Sequence, residues 1–262
     1  MPEIARDGVT LHYERQGPTD GPAVIFSNSL GTTLHLWDPI LPYLPDHLRI
    51  LRYDMRGHGQ SEVPDAPYTM GQLISDAEAV CDAAEVRDAV FIGLSVGGMI
   101  GQGLAVKRED IVRSLVLSNT AAKIGNPAFW QERIDAVQRN GMGQMADPIV
   151  KRWFGRDFYE SPAMAPWQDM LSQASVEGYC GVCTAIAGTD FYTPTSGLRI
   201  PTLGIAGSED GSTPPDLVRE TVDLIPGSQF VLMRRAGHLP CVEQPEAFAG
   251  HLTAFLQSIG HL

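Results

Sequence analysis

The sequence predicts an α/β fold, a mostly parallel β-sheet with helices on both faces. Two observations carry this prediction: short apolar runs rich in β-branched residues recur along the chain, and segments of helical spacing separate them. Because runs that are apolar on both faces suit strands buried between helical layers, the alternation indicates βαβ units in a doubly wound sheet. A chain of 262 residues can bury such a core without disulfide staples.

The strand-like runs follow one another along most of the chain. The first alternates polar and apolar residues as an edge strand does, and the others are apolar throughout, with a weaker member at 49–53. The predicted strands are 11–14, 23–27, 49–53, 90–92, 115–117, 202–206 and 230–233. The predicted crossover helices, whose apolar residues recur three and four positions apart, are 70–84, 96–106, 215–224 and 246–259.

One long stretch interrupts this alternation. Residues 125–190 contain no strand-like run, but they have several short helical patterns and many Gly and Pro residues. An insertion of this length is too long for a plain loop. We therefore expect a helical cap over residues 125–190, and a core formed by residues 1–124 and 191–262.

The charge balance excludes several classes of partner. With 19 basic and 31 acidic residues, the net charge of −12 argues against nucleic acid and against an anionic membrane surface. No run approaches the roughly 20 apolar residues of a membrane span, and residues 1–15 lack the apolar core of a signal peptide. We expect a soluble, cytoplasmic protein, with the oligomeric state left open.

The strongest local motif is Gly-Leu-Ser-Val-Gly-Gly at 93–98. It follows a predicted strand and precedes a predicted helix, which is the setting of a nucleophile elbow, a sharp turn that presents a serine. The backbone N–H of Val96 lies at the helix N-terminus and can donate to an oxyanion. A Gly-rich turn with an incidental serine is the alternative. The strand and helix on either side favour Ser95 as a nucleophile.

A serine nucleophile needs a base, and the chain has seven histidines. The setting of five of them, at 12, 35, 47, 251 and 261, predicts surface positions. His58 follows a strand, but it precedes the serine in sequence and its flanking glycines indicate a tight structural turn. His238 comes just after the last predicted strand, at the same sheet edge as Ser95, and is the favoured base.

The third member of the triad must hold the imidazole and stabilise its charged form. Asp210 follows the predicted strand 202–206 and reaches the same edge; Glu209 is adjacent and chemically capable, but neighbours on an extended loop point in different directions. We prefer Asp210, which gives the chain order Ser95, Asp210, His238 of nucleophile-elbow hydrolases.

A second oxyanion donor is expected in the loop after the strand 23–27. The loop Asn-Ser-Leu-Gly-Thr-Thr at 28–33 is positioned to offer the backbone N–H of Leu30. A helix N-cap supplied by Thr32 or Thr33 is the structural alternative, and both roles can hold together.

The predicted cap carries an excess of positive charge. Residues 121–156 include six basic and three acidic residues, against a net charge of −12 for the chain. A positive patch above a nucleophile suits a substrate that carries a carboxylate. For any one of these residues, a solvated cap face is an equally good explanation.

The pair Cys180 and Cys183 has the spacing of a redox or zinc motif. No second pair accompanies it, because Cys81 and Cys241 stand alone in the sequence. We therefore expect buried packing for these thiols, and neither a metal nor a cofactor.

With the triad assigned, the chain resembles the α/β-hydrolases over its whole length. The matching motifs are Asp-Met-Arg-Gly-His-Gly-Gln-Ser at 54–61, the serine turn at 93–98, and Gly-His at 237–238 followed by Glu-Gln-Pro at 243–245. The resemblance implies the α/β-hydrolase fold: a mostly parallel eight-stranded sheet with helices on both faces and a helical cap inserted after the sixth strand. These motifs are specific to the superfamily but not to a reaction.

A narrower resemblance is to the 3-oxoadipate enol-lactonases. The segments that carry it are 27–34, 118–125, 152–154 and 178–180, together with Trp130 and Arg133. Valine stands at 96 where that family's pattern has methionine, a departure of little weight because only the backbone N–H is used.

This resemblance implies hydrolysis of 3-oxoadipate enol-lactone to 3-oxoadipate in aromatic catabolism, on a small anionic lactone. In that reaction Arg133 or Lys123 would hold the free carboxylate, and Trp130 would shape the pocket. The alternatives are another esterase or C–C bond hydrolase of the fold and, from a different class, a ligand receptor with negligible turnover. Serine rather than aspartate in the elbow disfavours a haloalkane dehalogenase.

Overall fold

The computed structural model describes residues 2–262, and its centre is one eight-stranded sheet in the order β1-β2-β4-β3-β5-β6-β7-β8. The first strand pairs antiparallel with the second, the second pairs antiparallel with β4, and all other pairs are parallel. The strands are β1 Glu3–Arg6, β2 Val9–Gln16, β3 Ala23–Ser27, β4 Arg49–Tyr53, β5 Ala89–Leu94, β6 Val112–Ser118, β7 Thr202–Gly207 and β8 Gln229–Met233.

Helices connect the parallel strands and cover both faces of the sheet, as the alternation of patterns predicts. They are α1 Met70–Ala83, α2 Val96–Lys107, α3 Pro127–Trp153, α4 Arg156–Tyr159, α5 Ala165–Ser172, α6 Val176–Ala187, α7 Tyr192–Ser196, α8 Pro215–Asp223, α9 Pro240–Glu243 and α10 Pro245–Ser258. A 3₁₀ segment, Leu34–Tyr43, follows β3, and a shorter one spans Pro162–Met164. Among residues 2–262, no helix is long and apolar enough to cross a bilayer.

The central strands are apolar because both of their faces are covered. Every residue of β3, β5 and β7 is buried, including alternate positions that would face water in a one-sided sheet. The core continues through the facing helices, where a Thr69–Gln72 capping box starts α1. The predicted α/β fold is therefore confirmed.

The prediction is wrong at the N-terminal edge of the sheet. Residues 11–14 belong to β2, which lies between β1 and β4 and is not an edge strand. The true edge strand, β1, has two exposed and two half-exposed residues and no continuous apolar run, so it leaves little signal in the sequence. Pairing with β1 is also part of the reason that His12, in β2, is fully buried.

Between β6 and β7 the chain forms helices α3 to α7, and the first four of these, α3 to α6, pack on one another above the carboxyl end of the sheet. The long helix α3 is kinked at Gly141, whose φ of 72° breaks the helical path. We keep the division into a cap at 125–190 and a core at 1–124 and 191–262 as a proposal.

Candidate active site

Ser95 occupies a strained turn between β5 and α2. Its φ of 59° and ψ of −121° lie outside the conformations that most side-chain-bearing residues adopt. Glycine is required on both sides, because a Cβ at Gly93 would collide with the backbone of Gly97, and a Cβ at Gly97 would collide with the carbonyl of Ser27. The serine is thus presented at the carboxyl edge of the sheet, as a nucleophile elbow requires.

His238 and Asp210 lie together at the same edge, in the loops that follow β8 and β7. The distance from His238 Nδ1 to Asp210 Oδ2 is 2.8 Å, and both side chains are buried. This contact leaves Nε2 as the ring nitrogen available to the cavity that His238 and Ser95 both line. Glu209, the alternative to Asp210, is exposed and accepts the N–H of Arg156 instead.

The carboxylate of Asp210 is held by several donors besides His238. Oδ1 accepts the N–H groups of Ser212 and Thr213, at 2.6 and 3.0 Å, and Oδ2 accepts the Thr213 hydroxyl at 2.8 Å. Burial alone would raise the pKa of Asp210, but the charge and hydrogen bond of His238, with those of Asn119 and Thr213, outweigh it and lower the pKa. The carboxylate therefore stays ionised beside the imidazole.

Asn119 is a further member of this network that the sequence interpretation missed. Its side-chain amide donates to Asp210 Oδ2 at 2.8 Å and to the carbonyl of Gly237 at 3.1 Å. It directly follows β6 and adopts a φ of 47°, a conformation that asparagine tolerates better than most residues. The only signal in the sequence was an asparagine just after a buried strand at the carboxyl edge.

Two backbone N–H groups without an acceptor in the described part of the chain indicate where an oxyanion could bind. Among residues 2–262, neither the N–H of Leu30 nor that of Val96 donates to a protein acceptor, whereas the neighbouring N–H of Gly31 is bonded to His58 Nε2 at 2.9 Å. Leu30 lines the same cavity as Ser95. The two free donors therefore suit an oxygen that a bound substrate supplies.

The cavity above Ser95 is lined on one side by helices α3 and α6. Among the described residues 2–262, its lining includes Leu30, Ser95, Trp130, Arg133, Arg152 and His238 but no Asp or Glu residue. The guanidinium of Arg133 donates to the hydroxyl of Tyr179 at 3.3 Å. Carboxylates of residues 125–190 pair with Lys123, Lys151 and Arg235, but neither Arg133 nor Arg152 pairs with a carboxylate within residues 2–262. The cavity is thus positive in an acidic protein.

Comparison with known proteins identifies the family of this chain. The family model described as the α/β-hydrolase fold matches residues 22–245. The chain is 38% identical to 3-oxoadipate enol-lactonase 2 of Acinetobacter baylyi over 94% of this chain and 92% of that one, and 35% identical to 3-oxoadipate enol-lactonase 1 of the same organism over 97% and 96%. The chain belongs to the α/β-hydrolases, in the 3-oxoadipate enol-lactonase family.

A solved structure supports the same placement. The enol-lactonase from Burkholderia xenovorans superposes with a TM-score of 0.94 at 37% identity, covering 98% of this chain and 100% of that one. Because close relatives over the full length are hydrolases acting on ester bonds, this family member is an enzyme of that class.

Among the predicted substrate contacts of this α/β-hydrolase, Trp130 and Arg133 line the cavity but Lys123 does not. The ammonium of Lys123 is exposed and pairs with Asp190 at 3.0 Å. The expectation that Lys123 faces the substrate is therefore not supported. Arg152, which the sequence interpretation only counted among the cap charges, is part of the lining because α3 ends beside the loops that carry Asp210 and His238.

The histidine predictions need two corrections in this hydrolase. His12 and His261 are buried, not on the surface: His12 Nδ1 contacts Asp54 Oδ2 at 2.9 Å, and His261 Nε2 contacts the carbonyl of Ala23 at 2.9 Å. His58 is also buried, and burial lowers its pKa, which keeps Nε2 unprotonated and able to accept the Gly31 N–H.

All four thiols of this hydrolase are buried and unpaired. Burial raises the pKa of Cys180 to about 11 and raises that of Cys183 further still, so neither is a thiolate at neutral pH. Within residues 2–262, no cluster of three His, Cys, Asp or Glu side chains could hold a metal ion.

Proposed function

We propose that this enzyme hydrolyses 3-oxoadipate enol-lactone to 3-oxoadipate by acyl transfer to Ser95. The observation that carries the proposal is a nucleophile elbow that opens into a cavity where, within residues 2–262, two arginines lack an ion-pair partner and no carboxylate is part of the lining. An ester-cleaving site of that charge suits an anionic lactone. The names of the two Acinetobacter relatives supply the identity of that lactone.

In the first step, His238 Nε2 takes the proton of Ser95 Oγ as the oxygen attacks the lactone carbonyl. Asp210, held ionised, fixes the tautomer of the imidazole through Nδ1 and stabilises the imidazolium that forms. The N–H groups of Leu30 and Val96 donate to the oxyanion of the tetrahedral intermediate.

Collapse of this intermediate breaks the ring C–O bond and leaves an acyl-serine. The leaving oxygen is that of an enol, which takes the proton from His238 and then tautomerises to the ketone. Water, deprotonated by His238, attacks the acyl carbon, and the departing Ser95 oxygen recovers that proton. The product has one new carboxylate, and the enzyme returns to its starting state.

The free carboxylate of the substrate would lie against Arg133. The side chain of Arg133 lines the cavity without a carboxylate partner, and Trp130 beside it is buried with its indole N–H bonded to the carbonyl of Ile124 at 2.7 Å. Fixing the indole in this way shapes the wall next to the guanidinium. Arg152, near the C-terminal end of α3, is the second cation that can bind a carboxylate of the substrate or the product.

The proposal is tested by the loss of ultraviolet absorbance of freshly generated enol-lactone, with wild type and Ser95→Ala side by side. Rapid turnover that the substitution abolishes is the expected result. Slow lactone turnover in both proteins, with aryl esters cleaved by wild type, would retain Ser95 chemistry and reject the lactone as substrate.

We also propose a cytoplasmic location, since buried unpaired thiols suit a reducing compartment, and cell fractionation tests it.

A further inference from the structure

Glu243 lies outside the catalytic cavity, and its carboxylate joins two distant segments of the chain. Oε1 accepts the N–H of Gly237 at 2.7 Å, and Oε2 accepts the N–H of Gly155 at 3.0 Å. Gly237 directly precedes His238, and Gly155 lies just beyond the end of α3. One side chain thus fastens the loop of the catalytic base to the cap.

The segment 152–156 contacts the loops of both partners of Ser95. The carbonyl of Trp153 accepts the N–H of His238 at 2.6 Å, and the carbonyl of Arg152 accepts the N–H of Gly211 at 3.2 Å. The side chain of Glu209 accepts the N–H of Arg156 at 2.9 Å. Hydrogen bonds between the backbone at 152–156 and the loops of Asp210 and His238 therefore hold both loops in place.

The packing around Glu243 leaves little room for a different arrangement. A Cβ at Gly237 would lie 2.7 Å from the nitrogen of Gly155, and one at Gly155 would lie 3.0 Å from Glu209 Oε2 and 3.1 Å from Glu243 Oε2. Two carboxylates therefore face Gly155 at close range. Because neither Gly155 nor Gly237 has a side chain, their backbones approach closely. The carboxylate of Glu243 is bonded to both N–H groups and so fixes the position of one backbone relative to the other.

The surroundings of Glu243 make its charge sensitive to neutral pH. Burial raises its pKa most, the two N–H donors lower it, and the charges of Glu209 and Asp210 raise it further, to about 7. The outer side of Glu243 faces a groove with Asp157, Arg234 and Arg235, where Arg235 is already paired with Asp157. Protonation of Glu243 turns one of its carboxylate oxygens into a hydroxyl. The hydroxyl hydrogen then lies against the backbone N–H that this oxygen accepts in the ionised state.

We propose that Glu243 is a positioning residue for the catalytic base. Its ionised carboxylate holds the His238 loop against the cap through the hydrogen bonds from Gly237 and Gly155, and its protonation breaks one of these two hydrogen bonds. The proposal rests on the Ser95–His238 chemistry described above. It predicts that part of the loss of activity on acidification comes from Glu243 and not from His238.

The test compares wild type, Glu243→Gln and the control Glu246→Gln, whose side chain is exposed at the start of α10. Glutamine accepts one N–H and opposes the other with its NH₂ group at every pH. We expect kcat on p-nitrophenyl acetate to fall about tenfold in Glu243→Gln at pH 8.5 but only about twofold at pH 5.5, with KM unchanged. The control should match wild type throughout. Labelling of Ser95 by a fluorophosphonate should follow the same pattern.

A ratio of wild type to Glu243→Gln that stays constant between pH 5.5 and 8.5 would overturn the assignment, since a merely structural role gives a constant loss. Wild type that neither cleaves esters nor labels would overturn the proposed function as well. A measurement without substitution serves if the variant does not fold: the amide proton shift of Gly155 should titrate near pH 7. A midpoint near the ordinary glutamate value of 4.5 would overturn the inference.

Discussion

At the scale of single residues, we expect the charge of Arg133 to separate an acidic lactone from a neutral ester. Arg133 lines the cavity, and its guanidinium has no carboxylate partner within residues 2–262. A charge-assisted contact contributes about 1.5–3 kcal/mol, so Arg133→Met should raise KM for the enol-lactone roughly 10- to 100-fold. KM for a neutral aryl ester should change little. Steady-state kinetics on the two substrates measure the difference.

The matched control is Arg139→Met, on the same helix. Arg139 is exposed and its guanidinium donates to the carbonyl of Asp135, away from the cavity lining. It should leave both KM values unchanged. Equal increases for the acidic and the neutral substrate in Arg133→Met would reject the carboxylate contact.

His58 lies outside the proposed triad, and we expect it to act on the proposed oxyanion site. Its Nε2 accepts the N–H of Gly31, next to the free N–H of Leu30. His58→Leu leaves the Gly31 N–H buried without an acceptor, which costs about 1–3 kcal/mol of stability. We expect a lower Tm and a lower kcat, since the Leu30 loop loses its anchor. Thermal unfolding and ester kinetics test this, with exposed His47→Leu as the control; unchanged kcat would exclude the anchoring role.

The turn that carries Ser95 could be predicted from sequence because its motif is local, with strand, turn and helix adjacent in the chain. Asn119 and Arg152 could not, because their roles depend on contacts with loops about 90 and 60 residues further on. The burial of His12 likewise depends on pairing with β1 and on contact with Asp54.

At the scale of elements, the contact between the start of α2 and the end of β3 sets the geometry of the elbow. A Cβ at Gly97 would collide with the carbonyls of Ser27 and Asn28, so Gly97→Ala must push the helix away from the strand. We expect at least about a hundredfold loss of kcat/KM, since donors of an oxyanion site are each worth that much, and a lower Tm.

Gly143→Ala is the corresponding control in a helix. No atom lies within 4 Å of the Cβ that it would add, so alanine should stabilise α3 by about 0.5–1 kcal/mol. Kinetics and thermal unfolding compare the two variants. Full activity in Gly97→Ala would contradict the tight contact between α2 and β3.

Strands with a continuous apolar run and helices with regular apolar spacing were predictable from sequence, and short helices were not. The bounds of β3 and β4 agree with the apolar runs, because both strands lie inside the sheet. The short helices α4, α7 and α9 have only four or five residues each and are held by contacts with the rest of the molecule. The kink at Gly141 likewise has no periodic signature.

At the scale of the whole molecule, two carboxyl groups give opposite dependences of stability on pH. The pKa of Asp210 is lowered, so its contribution is present above its ordinary 3.8 and is lost on acidification. The pKa of Glu243 is raised from 4.5 to about 7, so its contribution is fully present below 4.5 and is lost as the pH rises through about 7. The two effects fall in different pH ranges.

Thermal unfolding at several pH values separates them. Between pH 5 and pH 8, the Tm of wild type should fall relative to that of Glu243→Gln, because only wild type acquires this half-buried charge over the range. Parallel Tm curves for the two proteins would show that Glu243 is already ionised at pH 5. The same charge that costs stability is the one that accepts both backbone donors.

The hydrogen bonds of the Trp153 and Arg152 carbonyls limit how new specificities can be engineered into this scaffold. Exchanging the whole cap for that of a distant hydrolase would remove the acceptors of the His238 and Gly211 amides, along with the lining they carry. A chimaera should therefore keep residues 152–157 from the recipient and exchange only the helices before and after them. The boundary that matters for such grafting lies inside the cap, at the point where it touches the catalytic loops.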